Sequence, residues 1–461
     1  MNAWQEKRVV IIGAARQGTA LARYLVQRGA NVVVTDNGSA AQLAGVRQEI
    51  ADLKIEWVLG EHPLSLVDNA DVVCISGGVP LTIPLVVAAQ ERGIPLSNDS
   101  QIFLENVPCP VIGITGAAGK TTTTTLVGRM ASAQFAHSHS GSIWVGGNIG
   151  TPLIQDIHHM QPNDVAVMEL SSFQLELMDR SPHISAVLNV TPNHLDRHGT
   201  MQAYTAAKAR ILAYQTLDDV AILNRDDAGS MGLASQVQGE LITFGQSALD
   251  AHLYGSSLHG DEVVVRNPAG EHRVLPVQAI KLLGEHNRCN VLAACAIGSA
   301  AGFTVDAMRA GVEGFTGVPH RLEFVRHWGG ADWYNDSIAT APERTIAAIK
   351  AFDAPLILLV GGRDKELPWE EFAAYATRRV DHFLLFGEAA AVIQEALAAA
   401  PTGNHSYTVM QVDTLYEAVE AAADMVEDGD IVLLAPGGTS YDAFVDFEAR
   451  GNQFKKWVHD L

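Results

Sequence analysis

The chain has 461 residues, 48% of them hydrophobic and 18% charged, a globular composition too long for one hydrophobic core, so about two to four domains are expected. Its formal net charge of −21 disfavours nucleic acid or an anionic membrane as partner, because both bind through basic footprints. No apolar run reaches the ~18–20 residues that span a bilayer, the N-terminus lacks a signal-type apolar core, and the scattered Cys74, Cys109, Cys289 and Cys295 form no metal-type pair, so a reducing cytoplasm is the expected setting.

The first block opens with the strand Arg8–Ile12, a helix over roughly residues 17–28, and a strand from Asn31 to Thr35 that ends at Asp36. These make a βαβ unit, which implies a parallel sheet. Gly13-Ala14-Ala15-Arg16-Gln17-Gly18 keeps the outer glycines of a dinucleotide fingerprint. Ala15, however, stands where the middle glycine lets backbone approach a pyrophosphate. An NAD-type site is therefore disfavoured, and another nucleotide-like ligand is expected here, with Asp36 near its sugar or base. A further strand over 71–76 ends in Gly77-Gly78-Val79-Pro80. Ligands of parallel sheets bind at such C-terminal strand ends.

The second block runs from about Pro110 to Thr316 and holds the most informative stretch, Thr115-Gly116-Ala117-Ala118-Gly119-Lys120 followed by five threonines. An apolar strand precedes it and a helix follows. A glycine-rich turn between the two gathers backbone N–H groups around one point, with Lys120 adding charge and Thr121 a hydroxyl for Mg²⁺. The strict phosphate-loop pattern places four residues between its glycines, whereas Gly116 and Gly119 have two. Farther on, Asp164–Met168 reads as a buried strand ending at Glu169, where a Mg²⁺-binding carboxylate belongs. His194 follows another strand end, and Lys208 sits in a helix-forming segment. Residues 251–275 look like a β-insertion. A third block begins after the linker Gly314–Pro319, with strands at 356–360, 382–386 and 431–434 and helices between them.

The runs Glu169–Glu176, Asn189–Arg197 and Ala203–Lys208 resemble the central signature of the Mur ligases, ATP-dependent amide-forming enzymes of peptidoglycan assembly. Gly146–Gly150, Gly284–Asn290, Pro319-His320-Arg321, Tyr334–Ser337 and Ser440–Gly451 are similar to the same family, in order along essentially the whole chain. The resemblance implies an α/β protein of three domains. Residues 1–108 would form a Rossmann-like sheet binding the uridine of a UDP-linked precursor. Residues 109–316 would form the P-loop ATPase-like centre, and residues 317–461 a second Rossmann-like unit for the amino-acid acceptor.

The implied reaction joins glutamate, D in configuration, to UDP-N-acetylmuramoyl-L-alanine at the expense of ATP. It belongs to cytoplasmic cell-wall precursor synthesis and so serves cell shape and division. Carried over, the nucleotide site is Gly116, Gly119, Lys120, Thr121, Thr122, Asn287, Asn290, Arg321 and Asp336. Thr121 with Glu169 would hold one Mg²⁺, and His194 with a carbamylated Lys208 a second. Lys120, His194, Lys208 and Arg321 would act in catalysis. Arg16, Gln17, Asp36 and Asn37 would lie near the uridine of the precursor, and Gly77 and Gly78 would also bind substrate. Asn148, Ser171 and Gln174 would position the precursor's muramoyl-alanine end, and His194 would touch substrate as well as metal. Thr340, Lys365, Ser440 and Phe447 would receive the glutamate, with no nucleic acid or membrane partner and a monomer expected.

Two departures fall in the acceptor block. The family pattern has Lys where this chain has Ile338, so a cation is missing or comes from Arg344 or Lys365, and Gly437-Gly438-Thr439 before Ser440 also differs. Both leave open an L-glutamate-adding relative. A folylpolyglutamate-synthase-like ligase is the other alternative, disfavoured because it leaves the first block unexplained.

Overall fold

The computed structural model describes residues 3–138, 141–282, 284–365, 367–401 and 405–461. The chain divides into two compact units, Met1–Phe315 and Thr316–Leu461.

The first unit holds two sheets. One contains β1 (Arg8–Ile12), β2 (Asn31–Asp36), β3 (Ile55–Leu59), β4 (Val72–Ile75) and β5 (Leu96–Ser97), ordered β3-β2-β1-β4-β5. All its pairings are parallel. The sequence accounts for this, because Val9–Ile12 and Val72–Ile75 are apolar at every position and are buried, the mark of a parallel strand covered on both faces. The first helix spans Arg16–Gln27, one residue ahead of its expected place.

The second sheet contains β6 (Val111–Thr115), β7 (Ile143–Gly147), β8 (Val165–Glu169), β9 (Ile184–Val187), β10 (Val220–Asn224), β11 (Glu240–Phe244), β12 (Tyr254–His259), β13 (Glu262–Asn267) and β14 (Gly270–Pro276). Its order is β14-β13-β12-β11-β10-β9-β6-β8-β7. The expected insertion is the antiparallel run β12-β13-β14 at one end, joined to the parallel part through β11. What matters for the site is that β6 lies between β8 and β9. The loops leaving three neighbouring strands therefore meet at one end of the sheet. A single apolar cluster runs through both sheets, with Leu21, Leu25 and Phe103 from the first part and Leu153, Ile154 and Met168 from the second.

The second unit contains β15 (Glu323–Trp328), β16 (Ala331–Asn335), β17 (Leu356–Gly361), β18 (His382–Phe386), β19 (Thr408–Gln411) and β20 (Ile431–Gly437), ordered β15-β16-β20-β17-β18-β19. Only β15 runs antiparallel to its neighbour. Leu358, Leu433 and Phe383 pack on one face and Ile357, Leu434 and Leu384 on the other. The side chains of these strands alternate between two covered faces, as an apolar parallel sheet requires. No helix among the described residues is long and apolar enough to cross a membrane.

Candidate active site

The turn after β6 leads into the helix Lys120–Ser138. Gly119 sits at φ +81°, and a Cβ there would lie 2.2 Å from Asn290 Oδ1. Only glycine meets both demands. Asn189, on the loop leaving β9, clamps the turn. Its Oδ1 accepts from Ala118 N at 2.8 Å and its Nδ2 donates to Ala118 O at 3.1 Å. The Lys120 ammonium donates to the carbonyls of Gly116 at 2.9 Å and Ala117 at 3.4 Å, so its charge lies on the turn.

Glu169, the last residue of β8, is 1% exposed. Its Oε2 accepts from Thr121 Oγ1 at 2.9 Å and its Oε1 from Asn148 Nδ2 at 2.8 Å. Thr122 is buried in the first turn of the helix. Asn287 and Asn290 lie on the helix Glu285–Ala300, where Asn290 Nδ2 donates to Asn287 Oδ1 at 2.9 Å. Because Asn290 abuts Gly119, this helix faces the same turn.

Lys208 lies in the helix Met201–Ala213 and is 1% exposed. Its Nζ donates to Gly116 O at 2.8 Å and stands 4.7 Å from the centre of the Tyr204 ring. Burial, reinforced by the charge of Lys120 and opposed by Glu169, pulls its pKa down to about 6. The amine is therefore mainly neutral at pH 7. His194 takes a left-handed conformation at φ 53° and caps the short helix Leu195–His198. Its ring meets the edge of Phe173 at 5.1 Å.

Among the residues expected at the precursor, Arg16 and Gln174 bond across the parts that carry the two sheets. Arg16 donates to Gly150 O at 3.0 Å, and Gln17 Oε1 accepts from Gly77 N at 3.2 Å. Both Asp36 oxygens hold backbone, Oδ2 accepting from Ala14 N at 2.8 Å and Oδ1 from Gly38 N at 2.7 Å. Asn37 is exposed beside them, and Gly78 follows Gly77 in the turn after β4. Ser171 and Gln174 form a capping box on the helix Ser172–Leu175. Gln174 is fully buried and donates to Ser100 Oγ at 2.8 Å.

In the second unit, Lys365 Nζ donates to Thr340 Oγ1 at 3.4 Å. Burial lowers the Lys365 pKa, and the nearby charges of Arg344 and Arg450 lower it further against Glu343. Asp336 is pushed up to about 6 by burial, against the hydrogen bond from Leu322 N and the charges of Arg321 and Arg344. Arg344 thus acts on both Asp336 and Lys365, in the neighbourhood of Ile338 where a cation was expected to be missing. Ser440 is buried and its carbonyl accepts from Phe444 N at 2.8 Å. Phe447 meets the edge of His320 at 6.1 Å.

Sequence reasoning assigned no role to Arg450. It is 1% exposed and donates to Ser337 Oγ at 3.0 Å, Ser337 O at 2.9 Å and Gly438 O at 3.2 Å. Burial lowers its pKa to about 10, and it ties the loops that carry Thr340 and Ser440 to the last helix. Arg197 and His198 were also left without roles. His198 bonds to Ser172 and Glu176, and Arg197 reaches the turn after β4. Their partners are distant in sequence, so no local pattern marks them.

A glycine turn between a parallel strand and a helix, beside a strand-end glutamate, makes this a P-loop-type α/β protein. The Mur ligase MurD-like N-terminal domain matches residues 7–98, the Mur ligase middle domain residues 114–298, and the Mur ligase glutamate ligase domain residues 320–438. The chain belongs to the Mur ligase family. It is 39% identical over 456 residues to the UDP-N-acetylmuramoylalanine–D-glutamate ligase of Symbiobacterium thermophilum, covering 99% of this chain and 98% of that one. The ligase of the same name from Clostridium botulinum is 35% identical, covering 99% and 97%. In structure the chain resembles UDP-N-acetylmuramate-alanine ligase MurC of Thermotoga maritima, with a TM-score of 0.56 at 18% identity over 98% of this chain and 99% of that one. It also resembles FolC of E. coli in complex with ADP, with a TM-score of 0.54 at 16% identity over 78% of this chain and 92% of that one.

Proposed function

We propose that the protein joins D-glutamate to UDP-N-acetylmuramoyl-L-alanine, consuming ATP and releasing ADP and phosphate. The observation that carries this reading is the full-length likeness to two ligases named for that addition. The L-alanyl carboxylate oxygen attacks the γ-phosphorus of ATP, the bond to the β-phosphate bridging oxygen breaks, and an acyl phosphate and ADP form. The amine of glutamate then attacks the carbonyl carbon and loses a proton, and the tetrahedral intermediate expels phosphate. Phosphorylation is needed because a carboxylate has no usable leaving group. The protein contributes position and cancellation of charge on oxygens.

Lys120 and the N–H groups of residues 116–121 receive the polyphosphate. A Mg²⁺ ion suits Thr121 and Glu169, since a hydroxyl and a carboxylate beside the phosphate turn are hard oxygen donors. It would neutralise charge on the phosphate oxygens. Unmodified, Lys208 does not suit a second ion with His194. Its neutral amine can add to CO₂, releasing a proton, and the resulting carbamate supplies the missing anionic oxygen. Asn287 and Asn290 face the adenine. Arg16, Gln17, Asp36, Asn37, Gly77 and Gly78 serve the uridine end, and Asn148, Ser171 and Gln174 the muramoyl-alanine end. In the second unit Lys365, Thr340, Ser440 and Phe447 receive glutamate, with Arg344 replacing the cation absent at Ile338. On this reading residues 1–108, 109–316 and 317–461 serve precursor, ATP and acceptor, and the enzyme is a cytoplasmic monomer.

ADP formation from ATP, UDP-N-acetylmuramoyl-L-alanine and each glutamate enantiomer tests the reading. Turnover with the D form alone is expected. Turnover with L-glutamate alone would replace the acceptor assignment, and none with either would overturn the function.

A further inference from the structure

We propose that Arg197 is a positioning residue that couples the turn after β4 to His194 and Lys208 beside the phosphate turn. The inference rests on the ligase reading above, and supplies a route by which the precursor end of the site prepares the ATP end.

A guanidinium is a planar fork of donors that can also stack on an aromatic face. Arg197 uses both properties. Its NH1 donates to Gly77 O at 3.0 Å and its NH2 to Val79 O at 2.6 Å. Its face lies 4.1 Å from the centre of the Phe173 ring. Two carbonyls two residues apart fit a single fork in one turn conformation, so the conformation of residues 77–79 and the orientation of the guanidinium are linked. The turn is also held from its other side, where Gly77 N donates to Gln17 Oε1 at 3.2 Å.

Phe173 passes the constraint on. Its ring meets His194 at 5.1 Å and stacks on His198 at 5.3 Å with 12° between the planes. His198 is fixed at both nitrogens, Nε2 to Ser172 Oγ at 2.9 Å and Nδ1 to Glu176 Oε1 at 3.0 Å. It leans on Tyr204 at 5.1 Å, and Tyr204 carries the Lys208 amine over its own ring at 4.7 Å. One chain of contacts thus runs from the precursor turn to both side chains assigned to the second metal. His194 at φ 53° occupies a conformation that a non-glycine residue keeps only where its surroundings impose it. The Phe173 ring is part of those surroundings.

The test is linkage, measured on the full-length protein. Binding of Mg²⁺ with a non-hydrolysable ATP analogue is titrated by calorimetry, with and without saturating UDP-N-acetylmuramoyl-L-alanine. The wild type should bind the analogue roughly 5–150-fold more tightly with precursor present, the usual range of coupling between sites. Arg197→Met should bring that ratio to about 1 while analogue affinity without precursor stays within about twofold. Arg197→Lys, which keeps charge but loses the fork, should lose most of the ratio. Phe173→Leu should lose it too, without touching the Gly77 and Val79 carbonyls, and it decides the matter if Arg197→Met does not fold. A wild-type ratio of unity, or a full ratio retained in Arg197→Met or Phe173→Leu, overturns the proposal. Failure of the ligase reading is distinct, since it appears as no ADP from the wild type with either glutamate.

Discussion

Thr121 and Glu169 stand 48 positions apart in the chain and meet through a 2.9 Å hydrogen bond from the threonine hydroxyl to the carboxylate. The contact exists because β6 and β8 are neighbours, so a helix start and a strand end face each other. Both Glu169 oxygens are occupied, one by Thr121 and one by Asn148.

Glu169→Gln keeps the size and one acceptor oxygen for Asn148, can donate its amide to the Thr121 hydroxyl, and removes the charge. We expect kcat to fall roughly 10²–10³-fold, as when one preorganised electrostatic group is lost, with little change in melting temperature. Steady-state ADP release and thermal denaturation measure the two. Near-wild-type turnover would place the metal elsewhere.

Lys208 gives a pH signature. Its pKa in the fold is about 6, against ~10.4 in an unfolded chain. Between these values the unfolded chain holds a proton that the folded chain lacks, so unfolding free energy should rise with pH across that window. The destabilisation is complete below about pH 6. In CO₂-free buffer, Lys208→Met should flatten the slope and abolish most ligase activity while keeping the fold. Urea titrations from pH 6 to 9 and an activity assay check both halves.

Asp99 should behave in the opposite sense. Its carboxyl lies inside the first unit, Oδ1 has no hydrogen-bond partner, and burial pushes its pKa up to about 7. The folded chain keeps a proton that the unfolded chain loses above ~3.9, so stability should decline from about pH 4 to about pH 7. Asp99→Asn removes the ionisation. Relative to wild type it should gain on the order of a few kcal/mol by pH 8, and denaturant midpoints at pH 5 and 8 would reveal this. Equal wild-type midpoints at the two pH values, after allowing for Lys208, would contradict it.

Lys365→Ala should raise the KM for glutamate and lower kcat/KM for it at least ~10-fold, leaving KM for ATP and for the UDP-precursor nearly unchanged. An effect on ATP kinetics alone would move the acceptor site away from Lys365 and Thr340.

Much of this was legible from residues alone. The βαβ opening, the β-insertion and the strands of the last block follow from apolar runs set between turn residues, and a phosphate turn announces itself through local glycines and one lysine. Other features depend on long-range geometry. Asp36 is expected near a nucleotide's sugar or base, and the sequence does not show that its oxygens also hold the turn after β1 and its own loop. Gln174 comes into the precursor site only through the family resemblance, and nothing in its local sequence shows that its amide is fully buried and donates to Ser100 Oγ. The depressed lysine, the buried Arg450 and the Arg197 fork carry no local mark, because burial and distant carbonyls create them.

The apolar cluster shared by both sheets of the first unit bears on how this protein can be rebuilt. Cutting between residues 108 and 109 would leave Leu21, Leu25 and Phe103 on one fragment and Leu153, Ile154 and Met168 on the other, dividing the cluster they share. The first fragment would keep the cluster on the opposite face of its sheet, around Val10, Val33 and Val73, so the cut weakens each half without emptying it, and co-expressed halves would regain the shared interior by finding each other. Chimaeras that exchange the leading 108 residues for those of a relative inherit the same demand, since a new precursor preference arrives only together with side chains that refit the shared interior.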